Sequence, residues 1–361
     1  MFYNIHVTIE VMNRIKLLPI LFCLVIIGTY KLSAQEKSYL PRTIAFYNVE
    51  NLFDIYNDPH KYDDDRTPEG KDHWTQEIYN DKIKNMARVI SDIGKDVTGS
   101  APDVIGLAEV ENEKVLQDLI NDPQLKPYNY GIVHFDSPDE RGIDVALLYK
   151  KNVFTPLSFD NIPLHLKDPD GSNDYTRDQL LVTGIMDDEQ LHFIVNHWPS
   201  RSGGEAKSRS KREAAAALNK KIIDSLQDID PHSKIFSTGD FNDDPTNSSL
   251  KKILRTKGNR DKAKGKDLYN PMESMLKKGL GSLAYRDGWN LFDQIIFTAE
   301  LLKKDMSTFR YWQAHIYNKR YLIQAEGRYK GYPFRSYSNG NYTGGYSDHF
   351  PVYIFIVKEV K

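Results

Sequence analysis

The chain has 361 residues, with 48 basic and 50 acidic side chains and a formal net charge of −2. This balance lacks the basic excess that is typical of a dedicated nucleic-acid-binding protein. The one cysteine, Cys23, lies in an N-terminal apolar segment. If that segment is removed, disulfides, thiolate catalysis and cysteine–metal sites are excluded together.

The N-terminal segment has the pattern of a secretory signal peptide. A continuous apolar run, Leu17 to Thr29, follows the basic pair Arg14 and Lys16 and precedes the small residues at Ser33 and Ala34. A basic flank, a short apolar stretch and a small-residue cleavage site define such peptides. The run is shorter than the roughly 20 apolar residues of a membrane-spanning helix. A retained N-terminal anchor is the alternative.

We predict that residues 1–34 are a signal peptide and that the mature protein, beginning at Gln35, is secreted or periplasmic. Met12 is a second candidate for the start of translation. Cleavage leaves 45 basic and 49 acidic residues, a formal charge of −4. Residues 35–361 are long enough for a large core without disulfides and contain no Pro- or Ser-rich linker, so we predict one catalytic domain.

Along this domain, short apolar runs typical of strands alternate with stretches whose apolar residues recur at helical spacing. The predicted strands are 43–48, 103–108, 130–135, 143–149, 180–186, 191–196, 234–238, 292–297 and 352–357. The predicted helices are 77–93, 113–120 and 207–226, and the predicted surface loops are 54–74, 255–288 and 327–345. Many strands with few helices indicate an α/β sandwich, and adjacent runs that fit hairpins indicate mixed sheets.

Polar side chains recur where these strands meet loops. They are Asn48, Glu50, Glu109, Asn196, His197, Asp240, Asn242, Asp348 and His349. A single carboxylate after a strand is more often a turn residue or a helix cap, so only the joint set points to a site. The chain has no GxSxG, GxxxxGK[ST] or HExxH motif, which argues against those hydrolase and nucleotide-binding classes.

The chemistry of this set fits metal-assisted phosphodiester hydrolysis. Oxygen ligands suit Mg²⁺, Mn²⁺ or Ca²⁺, and Mg²⁺ usually takes only one or two carboxylates, a role that Glu50 and Glu109 fit. Asp and Asn can orient and deprotonate a water, and a protonated histidine can donate to a phosphoryl oxygen or to the leaving group.

Six motifs resemble the endonuclease/exonuclease/phosphatase superfamily, in that family's order. They are Asn48-Val49-Glu50-Asn51, Ala108-Glu109-Val110, Asn196-His197-Trp198, Gly239-Asp240-Phe241-Asn242, Phe292-Asp293-Gln294-Ile295 and Ser347-Asp348-His349-Phe350-Pro351. The resemblance spans nearly all of the mature chain. It implies a four-layered α/β sandwich, with two mixed β-sheets packed face to face and helices outside, and a metal-dependent phosphoric ester hydrolase.

The resemblance also implies roles around a metal ion. Glu109 matches the principal metal ligand, and Glu50 occupies a position where relatives often carry Asp as a second ligand. Asp348 matches a position near the metal. Asn48 matches a residue that contacts metal-bound water or substrate phosphate.

Five further positions match residues that act on water and phosphate. Asp240 and Asn242 would position the attacking water, although the group that deprotonates the water stays open. His349 would polarise the phosphoryl oxygen, with Asp293 holding its ring. His197 matches a histidine of the deoxyribonuclease I-like branch and is a candidate acid for the leaving group.

Two assignments have equally good alternatives. Arg177 resembles an arginine that contacts substrate phosphate, and its fork geometry suits that task; a surface ion pair with Asp178 or Asp174 is the other interpretation. Asp144, between apolar neighbours, is expected to be buried and to need a partner. It either orients His197 or has a purely structural role.

The stretch 198–212 adds a basic patch after His197 that would attract a polyanion. Arg201 is a candidate substrate-binding residue, whereas Lys207 to Arg212 also fit a solvated helix turn. The run His-Trp-Pro-Ser-Arg followed by Gly-Gly resembles secreted bacterial nuclease-like members of the family. We interpret Asp63-Asp64-Asp65 as a solvated loop rather than a Ca²⁺ site, and the aromatic residues of 337–346 as packing within their own loop.

The leading hypothesis is therefore a secreted nuclease that uses Mg²⁺, or Mn²⁺ or Ca²⁺, to hydrolyse DNA or RNA as a monomer without a stable membrane anchor. A lipid or inositol phosphoesterase, such as a sphingomyelinase, is the alternative within the same fold, although no apolar membrane-insertion hairpin is evident. A binding protein that keeps the fold without catalysis is a third hypothesis, against which every expected polar position is filled.

Overall fold

The fold is built on two six-stranded β-sheets. This computed structural model describes residues 37–338 and 340–360, so the predicted signal peptide lies outside the described residues. Tyr39–Glu359 form one compact unit. Within the described part of the chain, every helix is too short or too polar to cross a membrane.

The strands are β1 Ser38–Leu52, β2 Val104–Val110, β3 Tyr130–His134, β4 Asp144–Lys150, β5 Phe154–Ile162, β6 Leu166–Lys167, β7 Asn173–Asp174, β8 Gln179–Met186, β9 Glu189–His197, β10 Lys234–Asp240, β11 Leu268–Tyr269, β12 Leu283–Tyr285, β13 Gly288–Asn290, β14 Asp293–Thr298, β15 Arg310–Ile316, β16 Tyr337–Ser338, β17 Asn341–Tyr342 and β18 Val352–Val360. The α-helices are α1 Gln76–Asp92, α2 Lys95–Thr98, α3 Glu113–Asn121, α4 Glu205–Ile229 and α5 Met272–Leu276. Short 3₁₀ turns occupy Asp64–Arg66, Lys126–Tyr128, Arg260–Lys262, Ala299–Leu302 and Arg320–Leu322, and Ser249–Ile253 form a π-turn.

Both large sheets are mixed, as predicted. The first has the strand order β15-β18-β1-β2-β4-β3 and the second β11-β14-β10-β9-β8-β5. In the first sheet β1 runs parallel to β2, and β2 antiparallel to β4. In the second, β10 runs parallel to β9 and antiparallel to β14, and β8 with β9 forms the predicted hairpin.

The alternation of side chains along the strands produces the layers. In β1, Ile44 and Phe46 enter an apolar core that also contains Phe193 and Phe236 of the second sheet. The alternate residues Ala45 and Tyr47 pack into a different core, with side chains of α1 and α3. A third core joins the outer face of the second sheet to α4. Because successive side chains of a strand point to opposite faces, each sheet is covered on both sides, which confirms a four-layered helix–sheet–sheet–helix sandwich.

Two long strands are absent from the sequence prediction. β5 and β15 lie at the edges of their sheets, and many of their side chains are half-buried or exposed. An edge strand needs no continuous apolar run, so it leaves little signal in the sequence. The segment 255–288 was predicted to be a loop, but it contains α5, β11 and β12.

Candidate active site

Strand register brings three predicted site residues into one row. Asp240, the last residue of β10, is paired across the second sheet with His197 of β9 on one side and with Asp293 of β14 on the other. All three side chains are buried. His197 and Asp293 are 43 and 53 positions from Asp240 in the sequence, but the strand pairing makes all three neighbours at one end of the sheet.

The first sheet contributes its own strand ends to the same place. The β1–β2 pairing is irregular after Asn48 and Ala108, and the two carboxylate residues at this point have left-handed backbones, with φ of 53° at Glu50 and 65° at Glu109. Such irregularities redirect side chains at the end of a strand. Glu109 Oε1 consequently lies 3.8 Å from His197 Nε2 of the other sheet.

Asp240 Oδ2 is the centre of the site. Asn48 Nδ2 donates to it at 3.1 Å, while His197 Nε2 lies at 3.7 Å and His349 Nε2 at 4.0 Å. Both imidazole separations exceed a direct hydrogen bond, so the carboxylate and the two Nε2 atoms can share contacts with one oxygen of a water or a phosphoryl group placed beside them. Burial raises the pKa of Asp240 to about 7, against the opposing charge of His349. A carboxylate with such a pKa is suited to proton transfer near neutral pH.

His349 is held as a proton donor. Its Nδ1 lies 2.7 Å from Asp293 Oδ2, which also accepts from the Ser282 hydroxyl. Burial alone would lower the pKa of His349, but the negative charges of Asp293, Asp348 and Asp240 raise it well above its ordinary value. The imidazolium form is therefore favoured, and its Nε2–H faces Asp240.

His197 has the opposite electrostatic environment. Burial, followed by the positive charges of Arg177, Arg141 and His349, lowers its pKa well below the ordinary value. Its Nδ1 is buried and has no hydrogen-bond partner in the described part of the chain. The suggestion that Asp144 orients this ring is wrong, because the Asp144 carboxylate accepts from Ser137 N at 2.7 Å and contacts His134.

Arg177 follows neither of its two interpretations. The side chain is buried, its Nη1 donates to Asp139 Oδ2 at 2.9 Å and its Nη2 donates to the Trp198 carbonyl at 2.7 Å. Asp178, one of the expected partners, instead accepts from Asn161 Nδ2 at 2.7 Å. Arg177 thus supports the backbone next to His197, and in this structure it does not extend into open space.

Arg201 supports the loop that follows β10. Its Nε donates to the Asn242 carbonyl at 2.9 Å, its Nη2 donates to Asp243 Oδ1 at 3.2 Å, and the guanidinium lies 4.4 Å from the centre of the Phe292 ring. These contacts occupy much of the donor set that was predicted to bind substrate. Asn242 is fixed as well, because its Nδ2 donates to the Trp198 carbonyl at 3.0 Å.

The interpretation of 207–212 as a solvated turn is wrong for Arg212. This side chain is fully buried in α4, and its Nε lies 2.7 Å from Asp243 Oδ1, which is equally buried. Lys211 is paired with Asp168 and Asp174 at the surface. The basic stretch is therefore largely neutralised by neighbouring carboxylates.

Sequence reasoning missed Arg335, which bridges two of the predicted metal ligands. Its Nε donates to Glu50 Oε1 at 3.0 Å and its Nη2 donates to Asp348 Oδ2 at 3.2 Å. Ser336 N occupies the other Glu50 oxygen at 2.6 Å. Arg335 lies in the predicted loop 327–345, 285 residues from Glu50, and an arginine in a polar loop carries no signal of such a contact.

Lys82 is a second missed residue. It is fully buried on α1, and its ammonium donates to the Tyr346 carbonyl at 2.5 Å and to the Ser336 hydroxyl. Burial lowers its pKa to about 8, against the opposing charge of Glu50. Lys82 lies in a predicted amphipathic helix, where lysines are common on the exposed face, so nothing in the sequence indicated that this one is buried.

The donor set fits a hard divalent cation, with Glu109 as its best ligand. Glu109 Oε2 accepts from Asn51 N at 3.0 Å, and Oε1 faces the site next to His197. Arg335 donates only to Oδ2 of Asp348, so Oδ1 of Asp348 has no contact with this arginine. Both oxygens of Glu50, in contrast, accept hydrogen bonds from Arg335 and Ser336. Asp240, Asp293 and His349 also bring ligand atoms within 4.8 Å of one another, although Asp293 is committed to the imidazole. Oxygen-rich sites of this kind suit Mg²⁺, Mn²⁺ or Ca²⁺.

The structure also tests the predictions for the acidic run Asp63 to Asp65 and for the aromatic residues of the loop 337–346. Asp63 is buried, with Oδ2 accepting from Asp58 N, so the solvated-loop interpretation is wrong for this residue and fits only Asp64 and Asp65. Tyr337 contacts the Trp74 ring at a centroid distance of 5.7 Å. That contact extends beyond the loop 337–346.

Comparisons with known proteins agree with this geometry. The sequence profile of the Endonuclease/Exonuclease/phosphatase family matches residues 43–358. No curated protein matches the sequence. A Bacteroides thetaiotaomicron endonuclease/exonuclease/phosphatase family protein has a similar structure, with a TM-score of 0.52 and 16% identity over 90% of this chain and 100% of that chain. D. rerio TDP2 complexed with single strand DNA product has a TM-score of 0.51 and 13% identity over 88% and 98% of the two chains. Truncated Caenorhabditis elegans TDP2 has a TM-score of 0.51 and 14% identity over the same shares. At these identities the structural likeness shows a shared fold.

Proposed function

We propose that this protein is an exported nuclease that hydrolyses phosphodiester bonds of DNA or RNA with a divalent metal ion. The chain belongs to the endonuclease/exonuclease/phosphatase family, whose members are phosphoester hydrolases. The observation that carries the proposal is the arrangement around Asp240 Oδ2. A raised-pKa carboxylate, an amide donor from Asn48 and the Nε2 atoms of His197 and His349 converge there from both sheets.

This arrangement divides the work of phosphoester hydrolysis among the side chains. Asp240 lies where it can orient a water and accept its proton, and Asn48 holds the carboxylate in place. His349, kept protonated by Asp293, donates to a non-bridging phosphoryl oxygen, where negative charge accumulates in the transition state. His197 was predicted to be a candidate acid for the leaving group, but its lowered pKa favours neutral imidazole, which argues against that role. We propose that it contacts the substrate oxygens through Nε2.

A bound divalent cation would add Lewis-acid stabilisation of the phosphoryl oxygens. Glu109 would hold it, with Asp348 Oδ1, which Arg335 leaves free and which lies 3.9 Å from His349 Nε2, as the second candidate. Glu50 would instead keep Arg335 beside the site, because both of its carboxylate oxygens already accept from protein donors. Arg335 thereby becomes a cationic neighbour of the phosphate, together with His349.

Nucleic acid is the proposed substrate for two reasons. The run from His197 to Gly204 resembles secreted nuclease-like family members, and TDP2, one of the similar structures, is described in complex with a single strand DNA product. Arg201 and Arg177 do not add to this argument, since both support the backbone. Export rests on the signal-peptide pattern of residues 1–34, and we propose a monomer without a membrane anchor.

A substrate panel tests the proposal. Purified residues 35–361 are incubated with supercoiled plasmid, single-stranded DNA and RNA, each with Mg²⁺, Mn²⁺ or EDTA. We expect cleavage of at least one nucleic acid that requires metal and disappears in the His349→Ala variant. Absence of metal-dependent cleavage of all three contradicts the nuclease proposal. Release of phosphocholine or inorganic phosphate from lipid or inositol substrates would then favour the alternative phosphoesterase.

A further inference from the structure

An open groove of about 1120 Å³ begins at Asp348 and Arg335 and extends away from the catalytic residues. One wall is the β12–β13 hairpin, and the other is formed by residues 324–343. The volume exceeds the range of roughly 300–1,000 Å³ that is usual for small-molecule sites. It is therefore large enough for a substrate that continues beyond the phosphate that reacts.

Each wall carries an exposed tyrosine with an arginine beside it. Arg286 lies 5.1 Å from the centre of the Tyr285 ring on the hairpin, and Arg328 lies 5.6 Å from the centre of the Tyr329 ring on the opposite wall. The exposed fractions are 63% for Tyr285 and 40% for Tyr329. Exposed aromatic faces next to guanidinium groups are what bases and backbone phosphates of a nucleic acid require.

Arg286 and Arg328 are two of the four basic residues that line the groove; the others are Arg335 and Lys71. No ion pair ties Arg286 or Arg328 to a carboxylate in the described part of the chain. Three of the four acidic residues that line the groove are already bound to protein donors: Asp72 to Arg66, Asp287 to the Tyr332 hydroxyl and Asp348 to Arg335. The lining has four basic and four acidic residues, and Glu326 is the acidic residue without such a donor in the described part of the chain. The groove is therefore formally neutral, with two guanidinium groups next to its exposed rings, and lacks the large basic excess of a duplex-binding surface.

The hairpin tip is built to present its arginine. Tyr285 pairs with Gly288, so the turn has two residues, and Arg286 and Asp287 have φ of 48° and 64°. Two-residue turns of this type favour Asn or Gly, because a positive φ is unfavourable for a bulky side chain. Asp287 N donates to the Tyr332 hydroxyl, which in turn donates to the Asp287 carboxylate. This tie holds the strained tip against the opposite wall.

The same hairpin is also anchored to the catalytic residues. The Trp289 ring stacks on Phe350, the neighbour of His349, with an interplanar angle of 15° and a centroid distance of 6.0 Å. A ligand on Tyr285 is thus positioned relative to His349 by packed side chains rather than by a free loop.

Resting on the proposed nuclease function, we infer that this groove is a subsite for single-stranded nucleic acid, in which Tyr285 and Tyr329 stack on unpaired bases and Arg286 and Arg328 bind the flanking phosphates. A base that is paired and stacked within a duplex does not offer its face to these rings, so single strands are favoured. Arg335 is the point at which the strand reaches the catalytic residues.

Binding without catalysis tests the inference. A fluorescent single-stranded 12-mer is titrated with residues 35–361 in EDTA at low salt, and anisotropy reports its affinity. We expect the Kd to rise about tenfold for Tyr285→Ala and for Tyr329→Ala, and to stay near the wild-type value for Tyr285→Phe, which keeps the ring. Arg286→Ala should weaken binding and reduce its salt dependence.

The controls are surface residues of the same type. Tyr39→Ala removes a tyrosine at the start of β1 whose exposure lies between those of Tyr285 and Tyr329. Arg260→Ala removes an arginine that lies 5.7 Å from the Tyr311 ring outside the groove. Both should bind like wild type, and circular dichroism checks that every variant is folded.

Unchanged affinity in the folded Tyr285→Ala, Tyr329→Ala double variant would overturn the inference. So would equal affinity for a matched duplex, or binding of a phosphorylated oligosaccharide but of no oligonucleotide. Groove-dependent binding of the 12-mer by a protein that cleaves no nucleic acid would support the subsite and contradict the nuclease proposal, so the two failures are distinguishable.

Discussion

His349 Nδ1 lies 2.7 Å from Oδ2 of Asp293, although the two residues are 56 positions apart in the chain. Asp293 begins β14 of the second sheet, and His349 lies in the loop that precedes β18 of the first. Asp293 is fully buried, and its strand β14 is fixed by register to β10 and Asp240. The contact with Asp293 therefore fixes the position of the His349 ring relative to Asp240, the carboxylate that faces its Nε2. It is the reason why the ring is charged and correctly oriented before a substrate arrives.

Asp293→Asn should lower phosphodiester hydrolysis by about 100-fold or more, because the neutral amide no longer stabilises the imidazolium form of His349. The measurement is kcat toward bis(p-nitrophenyl) phosphate with saturating Mg²⁺. Asp305→Asn, at an exposed turn, is the matched control and should retain wild-type activity. Full activity of Asp293→Asn would show that His349 does not act as a charged donor.

Asp240→Asn should abolish measurable turnover while leaving the fold intact. Asparagine preserves the size of the side chain and an oxygen that can accept from Asn48 Nδ2, but it cannot accept a proton from water. The rate of plasmid or bis(p-nitrophenyl) phosphate hydrolysis is compared with the thermal unfolding midpoint of the same preparation. An active Asp240→Asn protein, together with an active His349→Ala protein, would instead favour the non-catalytic binding hypothesis.

Glu109→Gln and Glu50→Gln should separate metal binding from arginine binding. We expect Glu109→Gln to weaken Mn²⁺ affinity by at least about tenfold in calorimetric titration, since Oε1 of Glu109 faces the site, 3.8 Å from His197 Nε2. Glu50→Gln should have a smaller effect on affinity but should destabilise the protein, because Arg335 and Lys82 lose a charged neighbour. The reverse order of affinities would restore Glu50 as the principal ligand.

Arg212→Ala should reduce the free energy of unfolding by about 1–3 kcal/mol, because the fully buried Asp243 carboxylate loses its nearer guanidinium and keeps only Arg201 and the Ser249 hydroxyl as side-chain partners. Urea denaturation provides the measurement. Arg209→Ala, one turn away on the exposed face of α4 and paired with Glu205, is the control and should unfold at the wild-type urea concentration. If both variants unfold alike, the buried pair contributes nothing that a surface pair does not.

Export predicts a defined new N-terminus. Expression of the full sequence in a Gram-negative bacterium should yield a periplasmic or secreted protein that begins at Gln35, as read by mass spectrometry. A charge in the apolar run, Val25→Arg, should leave the protein unprocessed, because insertion of the run depends on its hydrophobicity. Retention of residues 1–34 on a membrane-bound protein would favour the N-terminal anchor.

The layered fold was accessible from the sequence, and so were most of the residues that the fold brings together at the candidate site. Strand periodicity predicted nearly all central strands. The order of the Gly-Asp-Phe-Asn and Ser-Asp-His motifs indicated the family of the chain, and with it a shared site for Asp240 and His349. Both are local patterns, so each is readable without knowing what lies opposite. Edge strands such as β5 escaped, because their half-exposed surface imposes no apolar pattern.

The chain alone thus specified which chemical groups are present, since residue type and periodicity are properties of a few neighbouring positions. Which donors and acceptors of those groups remain available was settled only by folding, because their partners come from distant segments. Arg335, 285 positions away, donates to the Glu50 carboxylate. The Trp198 carbonyl accepts from Asn242 and Arg177. Arg177, predicted to bind substrate, also donates to Asp139. Glu109 retains a free oxygen because a bulge at the end of β2 turns it toward the opposite sheet.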